Sequence, residues 1–274
     1  MTNHTLSFIG GGNMARSLIG GLIADGWPAS RIQVTDTNPD QCAHLAERFG
    51  VTTGSDNNAA VAHADVVVLA VKPQVMHAVG SEISAAIQAR RPLVISIAAG
   101  IRSADLDRWL GGDNAIVRCM PNTPALVQSG ATALFANACV NNGQRDLAES
   151  ILRAVGLTLW LDDEQLMDAV TALSGSGPAY FFLIMEALQA AGVQLGLPEQ
   201  TARLLALQTG FGAAKMALES DEDAATLRQR VTSPGGTTER ALQTLEDGGL
   251  RELIARALTA ARDRSRELAD QLGQ

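Results

Sequence analysis

Leu6-Ser7-Phe8-Ile9-Gly10-Gly11-Gly12-Asn13-Met14-Ala15 (6–15) is the stretch on which the fold turns. Leu6 to Ile9 are strand formers that run directly into three glycines. Beyond them Met14, Leu18, Ile19, Leu22 and Ile23 recur at intervals of three and four, which predicts an amphipathic helix. A strand turning through glycines onto a helix N-terminus makes an anion site. The first-turn amide hydrogens there lack internal partners, and the helix dipole favours negative charge. Gly10 and Gly12, with Ala15 in the third small position, fit the G-x-G-x-x-G/A spacing. That spacing serves a tight turn, close approach of a pyrophosphate and close helix–strand packing. Glycines at such a turn can also serve backbone geometry alone, so the residues downstream carry the decision.

Composition narrows the class. The 274 residues are 46% hydrophobic, enough for one large domain or two modest ones with a sizeable core. A net charge of −8 implies no broad basic face for nucleic acid. Lysine occurs only at Lys72 and Lys215. Cys42, Cys119 and Cys139 are odd in number and far apart, which fits a reducing compartment and no disulfide framework or zinc site. His4, His44, His63 and His77 form no metal-ligand spacing, so no metal is expected. The chain opens on a strand rather than a basic-then-apolar leader, and no apolar run approaches the about 18 residues of a membrane span. The expectation is a soluble, cytoplasmic protein with no membrane partner.

Outward from the glycine stretch, Asp25-Gly26-Trp27-Pro28 stops the first helix and Arg31–Thr35 reads as a second strand. Asp36 stands at its end, 24 residues beyond Gly12. An acid there accepts hydrogen bonds from adenosine ribose hydroxyls and favours NAD(H) over its 2′-phosphorylated relative; in Asp-Thr-Asn-Pro it reads equally as a turn or cap residue. Residues 39–49 form an amphipathic helix. Ala64–Val71 is a continuous β-branched run, the mark of a central parallel strand covered on both faces, and it ends in Lys72-Pro73. Ligands in open α/β sheets lie beyond the carboxyl ends of strands, which places Lys72 to meet one; a solvated strand-end lysine is the alternative. His77 reads as a surface helix residue. Leu93–Ile97 is another buried strand, followed by Ala98-Ala99-Gly100, small enough to let something flat approach the backbone. Ala115–Cys119 ends in Met120-Pro121-Asn122-Thr123-Pro124, a rigid loop with one amide side chain able to reach a ligand. Shorter strands near Ala131–Phe135 and Thr158–Leu161 complete a doubly wound α/β domain over residues 1–161.

Residues 162–274 read as helical throughout. Asp162 with Gln165 resembles a capping box opening a helix towards Leu173, and Ser174-Gly175-Ser176-Gly177-Pro178 is a loop that interrupts it. Ala179–Leu195 is apolar on every face, with Glu186 its only charge; a helical domain of roughly 110 residues cannot wrap it, so a second subunit is expected to finish its burial. Pro198 opens a helix at N1 that runs to about Glu219, a short one covers Asp223–Gln229, and the last spans Leu250–Leu272. Between the last two lies Val231–Arg240, VTSPGGTTER. Ser233, Thr237 and Thr238 supply hydroxyls, and Pro234-Gly235-Gly236 leaves amide hydrogens to point at an anion such as a carboxylate. A capped interhelix turn, with Thr237 or Thr238 as N-cap, is the competing reading.

Taken together, FIGGGNMA (8–15), AVKP (70–73), SIAAG (96–100), RCMPNTP (118–124), SGSGPAY (174–180) and VTSPGGTTERAL (231–242) resemble the Δ1-pyrroline-5-carboxylate reductase family, in its order and at its spacing over nearly the whole chain. The first motif is common to many dehydrogenases, and the last three are far more specific. The resemblance implies a Rossmann-type dinucleotide-binding domain at 1–161 and an all-α dimerisation and substrate-binding domain at 162–274, intertwined with a partner's, in a homodimer or a ring of five dimers. It implies hydride transfer from NAD(P)H to the imine carbon of 1-pyrroline-5-carboxylate, giving L-proline. On it Thr238 hydrogen-bonds the ring nitrogen, while Ser233 and the amides around Gly235, Gly236 and Thr237 hold the carboxylate. Gly10, Gly12, Asn13, Met14, Ala15, Asp36, Ala70, Val71 and Pro73 line the cofactor. Lys72, Ala98, Ala99 and Asn122 surround the nicotinamide ribose and carboxamide, and Asn57 lies on the adenosine ribose side. NADPH is the cofactor that many members of the family prefer; Asp36 would repel a 2′-phosphate unless Thr35, Thr37 or Asn38 turns a donor towards it, which admits NADH.

Two other readings stand beside it. A β-hydroxyacid dehydrogenase has a similar two-domain layout and needs a helix-borne lysine to protonate an alkoxide, a role Lys215 in Gly-Phe-Gly-Ala-Ala-Lys could fill. A non-catalytic dinucleotide sensor would keep the Gly10–Ala15 loop and have no use for Ser233 and Thr238.

Overall fold

A computed structural model describes residues 4–273. The chain separates into two compact units: residues up to Ser176 together with those from Ala261, and Gly177–Ala260. In the first unit, strands β1 (Leu6–Ile9), β2 (Ile32–Thr35), β3 (Thr52–Gly54), β4 (Val66–Leu69), β5 (Leu93–Ser96), β6 (Ile116–Met120), β7 (Gly130–Ala136) and β8 (Gly156–Trp160) form one sheet. Helices α1 (Asn13–Ala24), α2 (Pro39–Phe49), α3 (Asn57–Ala62), α4 (Met76–Arg90), α5 (Ser103–Trp109) and α6 (Asn142–Arg153) lie between them in sequence. The strand order is β3-β2-β1-β4-β5-β6-β7-β8. All neighbours are parallel except β6 and β7, which run antiparallel with Arg118 opposite Phe135. The order reverses between β1 and β4, and in a doubly wound sheet such a switch point opens the crevice for a ligand at the carboxyl ends.

The period-two alternation of the strands sends their side chains into two cores. Leu6 and Phe8 join Leu18, Ile19 and Leu22 of α1 on one face, while Ile9 joins Met76, Ile83 and Ile87 of α4 on the other. Val66–Leu69 is buried along its whole length, as a central strand covered on both faces must be. The Thr-Thr-Gly strand β3 at the edge was not anticipated: one exposed and two half-exposed residues carry no apolar alternation.

The compact unit continues past the end of the sheet. Glu164 accepts hydrogen bonds from the Ser103 amide (2.7 Å) and Oγ (2.6 Å), and from Arg118 Nη1 (2.9 Å). Asp168 accepts from Ser265 Oγ at 2.7 Å. These contacts tie the segment after β8, and the C-terminal turns of the last helix, to the sheet. Asp163 rather than Asp162 caps the turn there, accepting from the Gln165 amide. After α7 (Met167–Val170) the chain does not enter a loop at 174–178: Thr171–Gly175 is π-helical. The Ser176 amide donates to the Thr171 carbonyl five residues back, at 2.8 Å. A Cβ on Gly175 would meet the methyl end of Met120, so the turn packs closely against the end of β6.

The second unit is helical: α8 (Gly177–Gln194), α9 (Glu199–Glu219), α10 (Ala224–Arg230), α11 (Thr237–Asp247) and the first part of α12 (Leu250–Leu272). Pro198 is the N-cap of α9, not its first residue. α11 is a full helix of its own where the sequence reading had only an interhelix segment, capped at Thr237 or Thr238 in its competing form. On the single chain Phe181, Phe182, Leu183 and Leu188 of α8 and Leu204, Leu205 and Phe211 of α9 are all more than half exposed. A patch of that kind marks an interaction surface. Among the described residues no helix is long and apolar enough to cross a membrane.

Candidate active site

The glycine turn is built as its spacing requires. Gly10 sits at φ +98°, and a Cβ there would meet the Ala70 carbonyl oxygen at 2.8 Å, so only glycine fits between β1 and the chain leaving β4. Its amide donates to the Thr35 carbonyl at 2.7 Å, and the Ala70 amide to the Ile9 carbonyl at 2.8 Å. Gly12 is different. It is the N-cap of α1 at an ordinary φ of −64°, offers no side-chain cap, and a Cβ on it would meet no atom within 4 Å. Glycine at Gly12 therefore relieves no crowding within the protein. The first-turn amides of Asn13, Met14 and Ala15 lie beside it without intrahelical partners, a cradle shaped for a phosphate-bearing group.

Asp36 at the end of β2 braces this turn. Its Oδ2 accepts from the Gly11 amide at 2.7 Å and its Oδ1 from the Asn38 amide at 2.8 Å. Ribose acceptor and turn residue were competing readings; the turn role is visible, and each carboxylate oxygen keeps a lone pair for a further donor. Gln41 Nε2 donates to the Gly11 carbonyl from the other side, a contact no sequence pattern announces. Asn57 is held within the protein: Oδ1 accepts from Thr35 Oγ1 at 2.6 Å and Nδ2 donates to Glu82 at 3.2 Å.

Lys72 is exposed just past the end of β4, and Pro73 starts the following turn. Pro73 and Gln74 line one wall of a cleft of about 360 Å³ whose other walls are Ala99, Gly100, the π-turn residues Thr171 and Ser176, and α12 from Ala261 to Leu272. Ala98 is buried and Ala99 open, so the small residues after β5 do leave the backbone approachable. Asn122 does not present a free amide. Its Oδ1 accepts from the Ala131 amide at 2.9 Å, and its Nδ2 faces the Ser174 carbonyl and Oγ at 3.3 and 3.2 Å. It pins the π-turn to the sheet. His77 stacks on Trp109 at the surface, ring centroids 4.8 Å apart.

In the helical unit, the 231–240 segment ends in the first turn of α11. Gly236, not a threonine, is the N-cap, and it makes no side-chain cap bond. The amides of Gly235 and Gly236 are already engaged, by Glu239 Oε2 at 2.8 Å and the Ser233 carbonyl at 3.0 Å, which corrects the expectation that both point at a ligand. The anion-receiving end is therefore the α11 N-terminus: the amides of Thr237 and Thr238, with the hydroxyls of Ser233, Thr237 and half-buried Thr238 around it. Glu239, whose role the sequence reading missed, could be found from its place at the third helical residue, where acidic side chains fold back onto the preceding amides. Lys215 lies on α9 with a 58% exposed side chain, 3.7 Å from Glu219 Oε1, an i,i+4 pair on the surface of the single chain.

Comparison with known proteins agrees with this layout. Residues 164–268 match the family model for pyrroline-5-carboxylate reductase dimerisation, and residues 5–100 that for NADP oxidoreductase, coenzyme F420-dependent. The pyrroline-5-carboxylate reductase of Pseudomonas aeruginosa is 53% identical over 274 residues, 100% of both chains. A structure of the Coxiella burnetii enzyme of that name aligns with TM-score 0.94 at 52% identity, over 97% of this chain and 99% of that one. The Plasmodium falciparum pyrroline carboxylate reductase, solved with NADP bound, aligns at TM-score 0.86 and 31% identity over 98% and 99%. The expected α/β fold with a helical C-terminal domain stands, as does a homo-oligomer acting on a small molecule. The chain belongs to the pyrroline-5-carboxylate reductase family, NAD(P)H-dependent oxidoreductases that make L-proline from 1-pyrroline-5-carboxylate.

Proposed function

We propose that residues 1–161 bind the dinucleotide and residues 162–274 form the dimer and bind the imine acid, in the cytoplasm, with the dimer as the unit of any larger ring. Bound NAD(P)H supplies a hydride to the carbon of the C=N bond. The chain's own part is to hold and orient. The α1 N-terminus at Gly12, Asn13, Met14 and Ala15 receives the pyrophosphate, Asp36 the adenosine ribose, with Asn57 packed behind it. Ala70, Val71, Lys72, Pro73, Ala98 and Ala99 form the rim at the carboxyl ends of β4 and β5 where the nicotinamide lies, and Asn122 shapes that rim from behind. The α11 N-terminus receives the substrate carboxylate through Ser233 and the amides of Thr237 and Thr238, with Gly235 and Gly236 setting the turn. The Thr238 hydroxyl meets the ring nitrogen.

The open space at Gly12, where glycine serves no internal contact, is the observation that carries this reading. The chemistry needs little more. A protonated cyclic imine is already electrophilic, so placing its carbon against the hydride donor provides most of the acceleration, and a hydroxyl suffices at the nitrogen. The surface position of Lys215 gives no support to alkoxide protonation by a helix lysine. The test is loss of reduced-nicotinamide absorbance with 1-pyrroline-5-carboxylate and NAD(P)H, beside its gain with NAD(P)+ and a panel of β-hydroxyacids. Turnover of the imine alone is expected, and turnover of a hydroxyacid instead would overturn the reading. Thr238→Ala should lower kcat at unchanged dinucleotide affinity; weakened cofactor binding with normal kcat would remove Thr238 from its assigned place.

A further inference from the structure

Around Asp36 the donors and charges are arranged in a way that bears on which dinucleotide the protein takes. Resting on the dinucleotide-binding reading above, we propose that Asp36 makes this chain prefer NADH to NADPH, by receiving the ribose diol and repelling a 2′-phosphate.

The carboxylate cannot swing away. Both of its oxygens are held, by the Gly11 and Asn38 amides at 2.7 and 2.8 Å, so its charge stays beside the glycine turn. The donors that could offset it are mostly engaged. Thr35 Oγ1 donates to Asn57 Oδ1 at 2.6 Å, and the Asn38 amide already serves Asp36. Asn38 Oδ1 accepts from Asp40 and Gln41, capping α2, and Gln41 Nε2 is bound to the Gly11 carbonyl. What remains is neutral: the Thr37 hydroxyl and the Asn38 amide NH2. No lysine or arginine occurs between Arg31 and Arg48, and Asp40 adds a second negative charge in the first turn of α2.

Neither flanking arginine is placed to help. Arg31 precedes β2, at the opposite end of the strand, and donates to Thr5 Oγ1. Arg48 lies at the far end of α2, about 12 Å along the helix from Asp40 at 1.5 Å per residue, with its guanidinium over the Phe49 ring. Arg16 donates to Asn13 Oδ1. A 2′-phosphate would thus sit against a fixed carboxylate with no cation to neutralise it, whereas two ribose hydroxyls find acceptors with free lone pairs.

The experiment is calorimetric titration of NADH and NADPH, separately, into the full-length protein without the imine, for wild type, Asp36→Asn and Thr37→Arg, at low and at high salt. The asparagine keeps an oxygen to accept from the Gly11 amide and removes the charge. The arginine leaves the Asp36 brace intact and adds a cation at an exposed position. Wild type should bind NADH at least about tenfold more tightly, with the gap narrowing as salt rises. Either substitution should narrow it about tenfold, chiefly through tighter NADPH binding. NADPH binding as tight as NADH in wild type, or a ratio unmoved by both substitutions, would overturn the proposal while leaving the reductase reading in place. Binding of neither nucleotide would overturn both.

Discussion

Gly12→Ala separates a glycine kept for the fold from one kept for a ligand. Gly12 has an ordinary φ, and an added methyl would enter open space. Alanine is a poorer N-cap than glycine by about 0.5–1 kcal/mol, and it stiffens the unfolded chain by about 0.4–1 kcal/mol, so the two effects nearly cancel. The melting temperature of the variant should stay within a degree or two of wild type, since a domain of this size shifts by about 2–4 °C per kcal/mol. Cofactor affinity should not survive. A methyl at the mouth of the α1 N-terminus displaces a pyrophosphate from the first-turn amides, and losing one charge-assisted hydrogen bond of about 2 kcal/mol weakens binding about thirtyfold. Gly10→Ala should do the reverse in stability: a positive φ and a methyl 2.8 Å from the Ala70 carbonyl cost about 1–3 kcal/mol or more of strain. Fluorescence titration of NADH and a thermal melt on the two variants decide the matter. Normal NADH affinity in Gly12→Ala, or a melt as depressed as that of Gly10→Ala, would refute the assignment of the turn.

The buried ion pair and one surface carboxylate give further tests. Glu164→Ala leaves Arg118, 5% exposed, without its counter-ion and the Ser103 amide without its acceptor. About 3 kcal/mol should be lost, the low end for a broken buried pair because Glu164 is itself partly solvated. Arg118→Met combined with Glu164→Leu should recover part of that loss, and a double variant worse than Glu164→Ala in urea unfolding would contradict the account. A hydrogen bond from Trp160 Nε1 at 2.8 Å, with Arg153 adding to it, holds the Glu149 carboxyl below its ordinary range against some desolvation. The unfolded chain then binds the proton first as pH falls, so this contribution is complete above about pH 5 and disappears as pH drops through the folded pKa. The stability advantage of wild type over Glu149→Gln should therefore shrink from pH 6 to pH 3, and a gap that widens on acidification would be the wrong sign.

Periodicity and composition alone determined most of the layout of this protein. The run Leu6–Ile9 into three glycines, a strand within the β-branched run Ala64–Val71 and the helix Leu250–Leu272 lie where the sequence puts them, because each carries its own period and its own stop signals. The motif order was enough to recognise the family, since motifs record which residue types a site needs. Contacts between residues far apart in the chain were not legible. Ser174–Pro178 reads as a loop by composition, yet runs as a π-turn into α8 because Asn122 and Met120, some fifty residues earlier, pack against it. Asn122 reads as a ligand-facing amide and is turned inward to Ala131 and Ser174. The amides at Gly235 and Gly236 read as free and are engaged by Glu239 and Ser233. Local sequence sets which conformations a segment can adopt. Which of its donors and acceptors remain for a ligand depends on the partners that folding brings to them, because buried polar groups must be paired, and only the tertiary structure decides those partners.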